Sequence, residues 1–146
     1  MTQALLSLVL AAAPLLAAQT SGELRGRFGH PRSEEFAATK DIAVKVAYDT
    51  EDAPCEFVIT AQHPVGWRPD AVDQDMVLPL EDVTKLTDEL SPPAQRGPKT
   101  NWRIEQMGCA IEVVTEYEHV TISQTAMCQQ SRVTAVYISY TQKHCR

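Results

Sequence analysis

Four histidines and four cysteines are the residues with which this chain could do chemistry, and their spacing excludes more than it admits. His30, His63, His119 and His144 form no H-x-x-x-H or H-E-x-x-H pair, so no two imidazoles share one helical turn to hold zinc. His63 lies in an irregular stretch where a general base could sit, although a solvated loop histidine has the same signature. No serine occurs in the G-x-S-x-G setting of a nucleophile elbow. Asp70, Asp73 and Asp75 crowd one stretch without the D-x-D-x-D-G spacing that wraps calcium, which reads as a solvated loop. No metal, no cofactor and no catalytic residue is assigned. Trp67 with Arg68 (VGWRP), and Trp102 with Arg103 (NWRI), are the residue types that dominate binding hot spots, core burial being the competing use of a tryptophan. His63, Trp67 and Arg68 are therefore the candidate binding residues.

The sulfur atoms say more. Cys55, Cys109, Cys128 and Cys145 contain no C-x-x-C pair, which argues against a zinc knuckle or a thioredoxin-type motif. An even count in a small exported domain predicts two disulfides and leaves no free thiol for catalysis. Strand register ranks the three connectivities. Only Glu118 and His119 separate two strand-like runs, so Tyr117 faces Val120 and facing residue numbers sum to 237, which places Cys109 opposite Cys128. The last strand runs back along Val120–Thr125 and carries Cys145 to the far end of the sheet from Cys128, beyond the reach of a disulfide. The expected bridges are Cys109–Cys128 and Cys55–Cys145.

The elements that must position these residues follow from periodicity. Asp41–Tyr48 alternates Ile42, Val44, Val46 and Tyr48 with Ala43, Lys45 and Ala47, and Cys55, Phe57 and Ile59 share one face after the polar turn at 49–54; together they predict a hairpin. Residues 61–75 hold Pro64, Gly66 and Pro69 without alternation and form the longest irregular piece. A helix is expected from Pro79, with Leu80, Val83, Leu86 or Thr87, and Leu90 at helical spacing, acidic Glu81 and Asp82 in its first turn, and a stop at Ser91-Pro92-Pro93. Trp102–Gln106, Ala110–Tyr117, Val120–Thr125 and Val133–Tyr140 read as strands. The fold class is α+β: a mostly antiparallel sheet of about five to six strands, built as a hairpin, one amphipathic helix and a β-meander, stapled by two disulfides.

The N-terminal run Ala4–Ala18 is uncharged and ends in alanines, the layout of a signal peptide over residues 1–18; it is too short and too Pro-broken for a good membrane span. Residues 19–40 show no period and are expected to be a flexible lead-in, which leaves 41–146 as a single α+β domain. The net charge of −6 argues against nucleic acid and anionic lipid, both of which are bound by neutralising phosphate. The string MVLPLEDVTKLTDELSPPAQRG, with MGC at 107–109, YEHVTI at 117–122 and the four spaced cysteines, resembles small exported proteins of unknown function from soil bacteria, particularly acidobacteria. The resemblance covers about Asp41–Cys145 and implies the fold and the bridges; it carries over no catalytic residue. The expected function is an exported, periplasmic or extracellular, non-enzymatic module for a protein or cell-surface partner. The alternatives are a small hydrolase using His63 and a protease-inhibitor-like module presenting the 61–75 loop.

Overall fold

The computed structural model describes residues 21–62, 78–127 and 132–145. Its elements are α1 (Ser21–Phe28), β1 (Ser33–Ala37), β2 (Ile42–Tyr48), β3 (Pro54–Ala61), α2 (Leu80–Leu90), α3 (Pro93–Arg96), β4 (Lys99–Met107), β5 (Ala110–Tyr117), β6 (Val120–Met127) and β7 (Arg132–Tyr140). Period-two runs become strands because alternate side chains share one face and can be buried together. In β2 these are Ile42, Val44 and Val46, and in β3 Cys55, Phe57, Ile59 and Ala61. All pairings are antiparallel, and the seven described strands form one sheet in the order β1-β2-β3-β7-β6-β5-β4.

Turn chemistry sets the registers. Asp49 accepts backbone N–H bonds from Glu51 (2.8 Å) and Ala53 (3.0 Å), folding the β2–β3 connection around its own side chain. Gly108, at φ 60°, takes the first position of the two-residue β4–β5 turn, where a side chain would be strained. The Glu118-His119 connection has neither glycine nor asparagine, and its N–H groups are held from outside, by Pro98 O (3.0 Å) and Arg96 O (3.0 Å). The β5–β6 ladder behind it has the expected register, Ala110 facing Met127 and Glu116 facing Thr121.

One face of the sheet carries the core. Ile42, Val44, Val46, Phe57, Ile59, Val136, Ile138, Val120 and Ile122 meet Leu78 and Val83, with Leu86, Leu90, Tyr117 and Tyr140 packed around them. Leu78 N–H bonds Val133 O at one end of α2 and the Tyr140 hydroxyl bonds Leu90 O at the other, so the helix runs in the direction of β7. Within α2 the buried residues are Val83 and Thr87, whose hydroxyl is satisfied by Val83 O at 2.7 Å. Leu80 is exposed instead, and Pro79 precedes the helix with extended backbone rather than opening it.

The structure corrects three further expectations. Seven strands are described, not five or six, and the segment expected to be a loose lead-in carries α1 and β1, the latter paired with β2 from Ser33–Ala47 to Ala37–Ala43. Of the two tryptophans, each open to binding or to core burial on sequence grounds, Trp102 stands half in solvent because β4 is an edge strand, and Trp67 lies outside the described residues. One disulfide, not two, is formed among the described residues: Cys55–Cys145, with Cα atoms 5.6 Å apart. Cys109 is exposed and unbonded in the turn before β5, and Cys128 lies outside the described residues.

Candidate functional site

A group of ionisable side chains gathers where α1 meets the β1 edge. α1 closes at Gly29, whose φ of 80° lets the chain turn back while its N–H bonds Arg25 O (2.9 Å). The chain then enters β1, with Arg32 O accepting from Tyr48 N–H (3.1 Å). Pairing with β2 places Glu34 diagonally from Tyr48 on the face that carries the core. The Tyr48 hydroxyl donates to one Glu34 carboxylate oxygen at 2.8 Å, and Arg25 pairs with the other. The Tyr48 bond holds the Glu34 carboxyl below its ordinary range, desolvation working the other way and Arg25 adding to the lowering. The same bond, with some desolvation, pushes the Tyr48 phenol up. At the rim His30 Nε2 lies 3.9 Å from Asp52, beyond hydrogen-bonding distance, and Asp52 has φ 60°.

Two adjoining open grooves share Arg25, His30, Pro31 and Glu34. One, of about 370 Å³, reaches Tyr48 and Asp52; the other, of about 640 Å³, is walled by Leu24 and Phe28. Phe28 is 70% exposed and Leu24 41%, and the Arg27 guanidinium stacks 5.0 Å over the Phe28 ring. The Glu34 carboxylate is committed on both oxygens, and neither groove is lined by serine or cysteine. This arrangement fixes polar groups beside uncovered apolar surface, which suits recognition.

A third groove, of about 520 Å³, separates α2 from β5 and β6 and contains Arg96. Its side chain is only 11% exposed and is tied down at two of its three nitrogens: Nε on Ser91 O (2.9 Å), and one terminal nitrogen on Asp88 (2.5 Å) and Thr87 O (3.4 Å), with Tyr117 beneath at 5.7 Å. Ser91 O is a carbonyl the end of the helix leaves without an intrahelical donor, while Thr87 O already accepts from Ser91 N–H (2.9 Å), so Arg96 caps α2 chiefly at Ser91 and its charge complements the helix dipole. This groove is a structural joint.

Of the residues singled out from sequence, Cys55 and Cys145 are brought together, while His63, Trp67 and Arg68 lie outside the described residues. Trp102 and Arg103 fall on the sheet edge, remote from the α1 corner in strand order. Among the described residues no cluster of three or more His, Cys, Asp or Glu is placed to hold a metal, and no helix is long and apolar enough to cross a membrane. Arg25, Glu34 and Tyr48 were not foreseen, because intervals of 9 and 14 residues match no motif and only the β1–β2 pairing joins them. No protein-family model, no curated protein and no solved structure matches the chain.

Proposed function

We propose that this chain is a non-enzymatic binding module that works in an oxidising compartment and grips an acidic, apolar-anchored segment of a partner protein at the α1 corner. The observation that carries the reading is the pair Leu24 and Phe28, large and uncovered, set among cations. Residues 21–32 contain Arg25, Arg27 and Arg32 against Glu23 alone, in a protein whose net charge is −6. Arg27 and Arg32 have no carboxylate partner among the described residues, whereas Arg25 is spent on Glu34. An aromatic or aliphatic anchor buried between Leu24 and Phe28 would contribute most of the affinity, and acidic neighbours would steer the encounter toward Arg27 and Arg32. The Glu34–Tyr48–Arg25 cluster holds the corner in one shape, so little ordering has to accompany binding.

The compartment rests on the Cys55–Cys145 bridge, since such bonds persist outside reducing cytosol, and the resemblance to exported soil-bacterial proteins agrees with it. The test uses fluorescence anisotropy with a labelled twelve-residue peptide of Asp, Glu and Gly around one central Phe. Binding should weaken about tenfold in F28A and further in R27E/R32E, salt should weaken it in the wild type, and Y137A on the opposite sheet face should leave it unchanged. Equal binding of a basic peptide, or an F28A variant as avid as wild type, overturns the reading.

A further inference from the structure

The two sheet edges are defended differently. β1 is five residues long and carries Glu34 and Glu35, and short length and charge both discourage strand addition. β4 runs nine residues and shows Trp102, 51% exposed, and Ile104, 56% exposed. Both stand on the core-bearing face, opposite Thr115 and Val113 of β5. On the other face Arg103 contacts Glu105 at 2.5 Å and pairs with Glu116. The two-residue turn makes Met107–Ala110 a hydrogen-bonded pair, so by alternation the backbone groups of Trp102, Ile104 and Gln106 point out of the sheet. No described strand meets them.

We propose that β4 pairs antiparallel with β4 of a second copy of this chain, about a two-fold axis at Ile104. The β4–β5 ladder is irregular between Lys99 and Asn101 and regular from Asn101 to Met107, and Ile104 is the midpoint of that regular stretch. With Ile104 facing its own copy, Arg103 of each chain faces Glu105 of the other, and both contacts fall at positions where side chains approach most closely. Sliding by one step in one direction sets Arg103 against Arg103; sliding in the other sets Glu105 against Glu105. Charge thus selects one register, and Trp102 and Ile104 of the two copies join into one apolar stripe across the seam.

Glu105 faces Glu112 across β5 and pairs with Arg103, so E105R exchanges one like-charge contact and one exposed ion pair inside the monomer for the reverse, a near balance, while setting two arginine pairs against each other in the dimer. Sedimentation equilibrium up to roughly 0.5 mM should show a concentration-dependent dimer for wild type. E105R should dimerise about 30-fold more weakly or worse, with a melting temperature close to that of wild type. Mixing E105R with R103E should restore association as a heterodimer, because every facing pair is then of opposite sign. Independently of whether R103E folds, I104C in a Cys109→Ser, Cys128→Ser background should cross-link to itself under mild oxidation, while W102C, about four residues out of register with its copy, should not. Wild type monomeric throughout, E105R still dimeric, or W102C cross-linking as readily as I104C overturns the proposal.

Discussion

Opening the Cys55–Cys145 bond should cost the fold much of its stability while leaving the native structure in place. The bond closes a chain separation of 90 residues. In the chain-entropy account that loop removes about 15.5 cal/mol/K from the unfolded ensemble, or about 4.6 kcal/mol at 25 °C. The native state needs the bond little, since β3 and β7 already pair from Glu56–Ser139 to Thr60–Ala135, and residues 141–145 are exposed. The effect therefore lies almost wholly in the unfolded chain. Against a total of about 5 to 15 kcal/mol for a domain, the loss is large. The assay is guanidinium unfolding of a Cys109→Ser, Cys128→Ser protein, oxidised and then reduced, followed by far-UV circular dichroism and tryptophan fluorescence. The midpoint should fall sharply and the denaturant slope rise, because the uncrosslinked chain exposes more surface. A stability difference below about 1 kcal/mol, with Cys55→Ser/Cys145→Ser behaving like the oxidised protein, would refute this reasoning.

Replacing Tyr48 by Phe should raise the Glu34 pKa toward that of a free carboxyl, read by NMR titration of its side-chain carbon. The sign follows from the direction of the shifts. A lowered Glu34 pKa gives stability that is present above the unfolded carboxyl range and lost as pH falls through the folded value, and a raised Tyr48 pKa gives stability lost as pH rises through its folded value. Thermal melts should accordingly show the gap between wild type and Y48F widest between the two titrations and narrowing at either extreme. Arg96→Ala strips Ser91 O of its side-chain donor and leaves Asp88 without its ion-pair partner, and should cost about 1 to 3 kcal/mol in urea unfolding, with Lys recovering only part. Gly97 has φ 74°, and a Cβ there would sit 2.8 Å from Glu118 Cβ, so Gly97→Ala should cost about 1 to 3 kcal/mol by the same measurement.

What the sequence determined by itself is whatever repeats within a few residues. The alternation in 42–48 and 55–61 became β2 and β3, the spacing of Val83, Thr87 and Leu90 became the inward side of α2, and the two residues between Tyr117 and Val120 set the β5–β6 register. That register, with β7 returning along β6, also made Cys55–Cys145 the readable bridge. Leu80 misled because periodicity names a face without saying how far the sheet or helix is covered along it. β1 was not legible: SEEFA is mostly exposed and alternates poorly, and its strand conformation depends on hydrogen bonds from β2. The Arg25–Glu34–Tyr48 cluster, the Arg96 cap and the bare β4 edge likewise exist only once distant segments are adjacent. A side chain's period is local and carried by neighbouring residues, whereas which strand lies beside which is decided by closing long loops around one shared core, and no short stretch of chain records that choice.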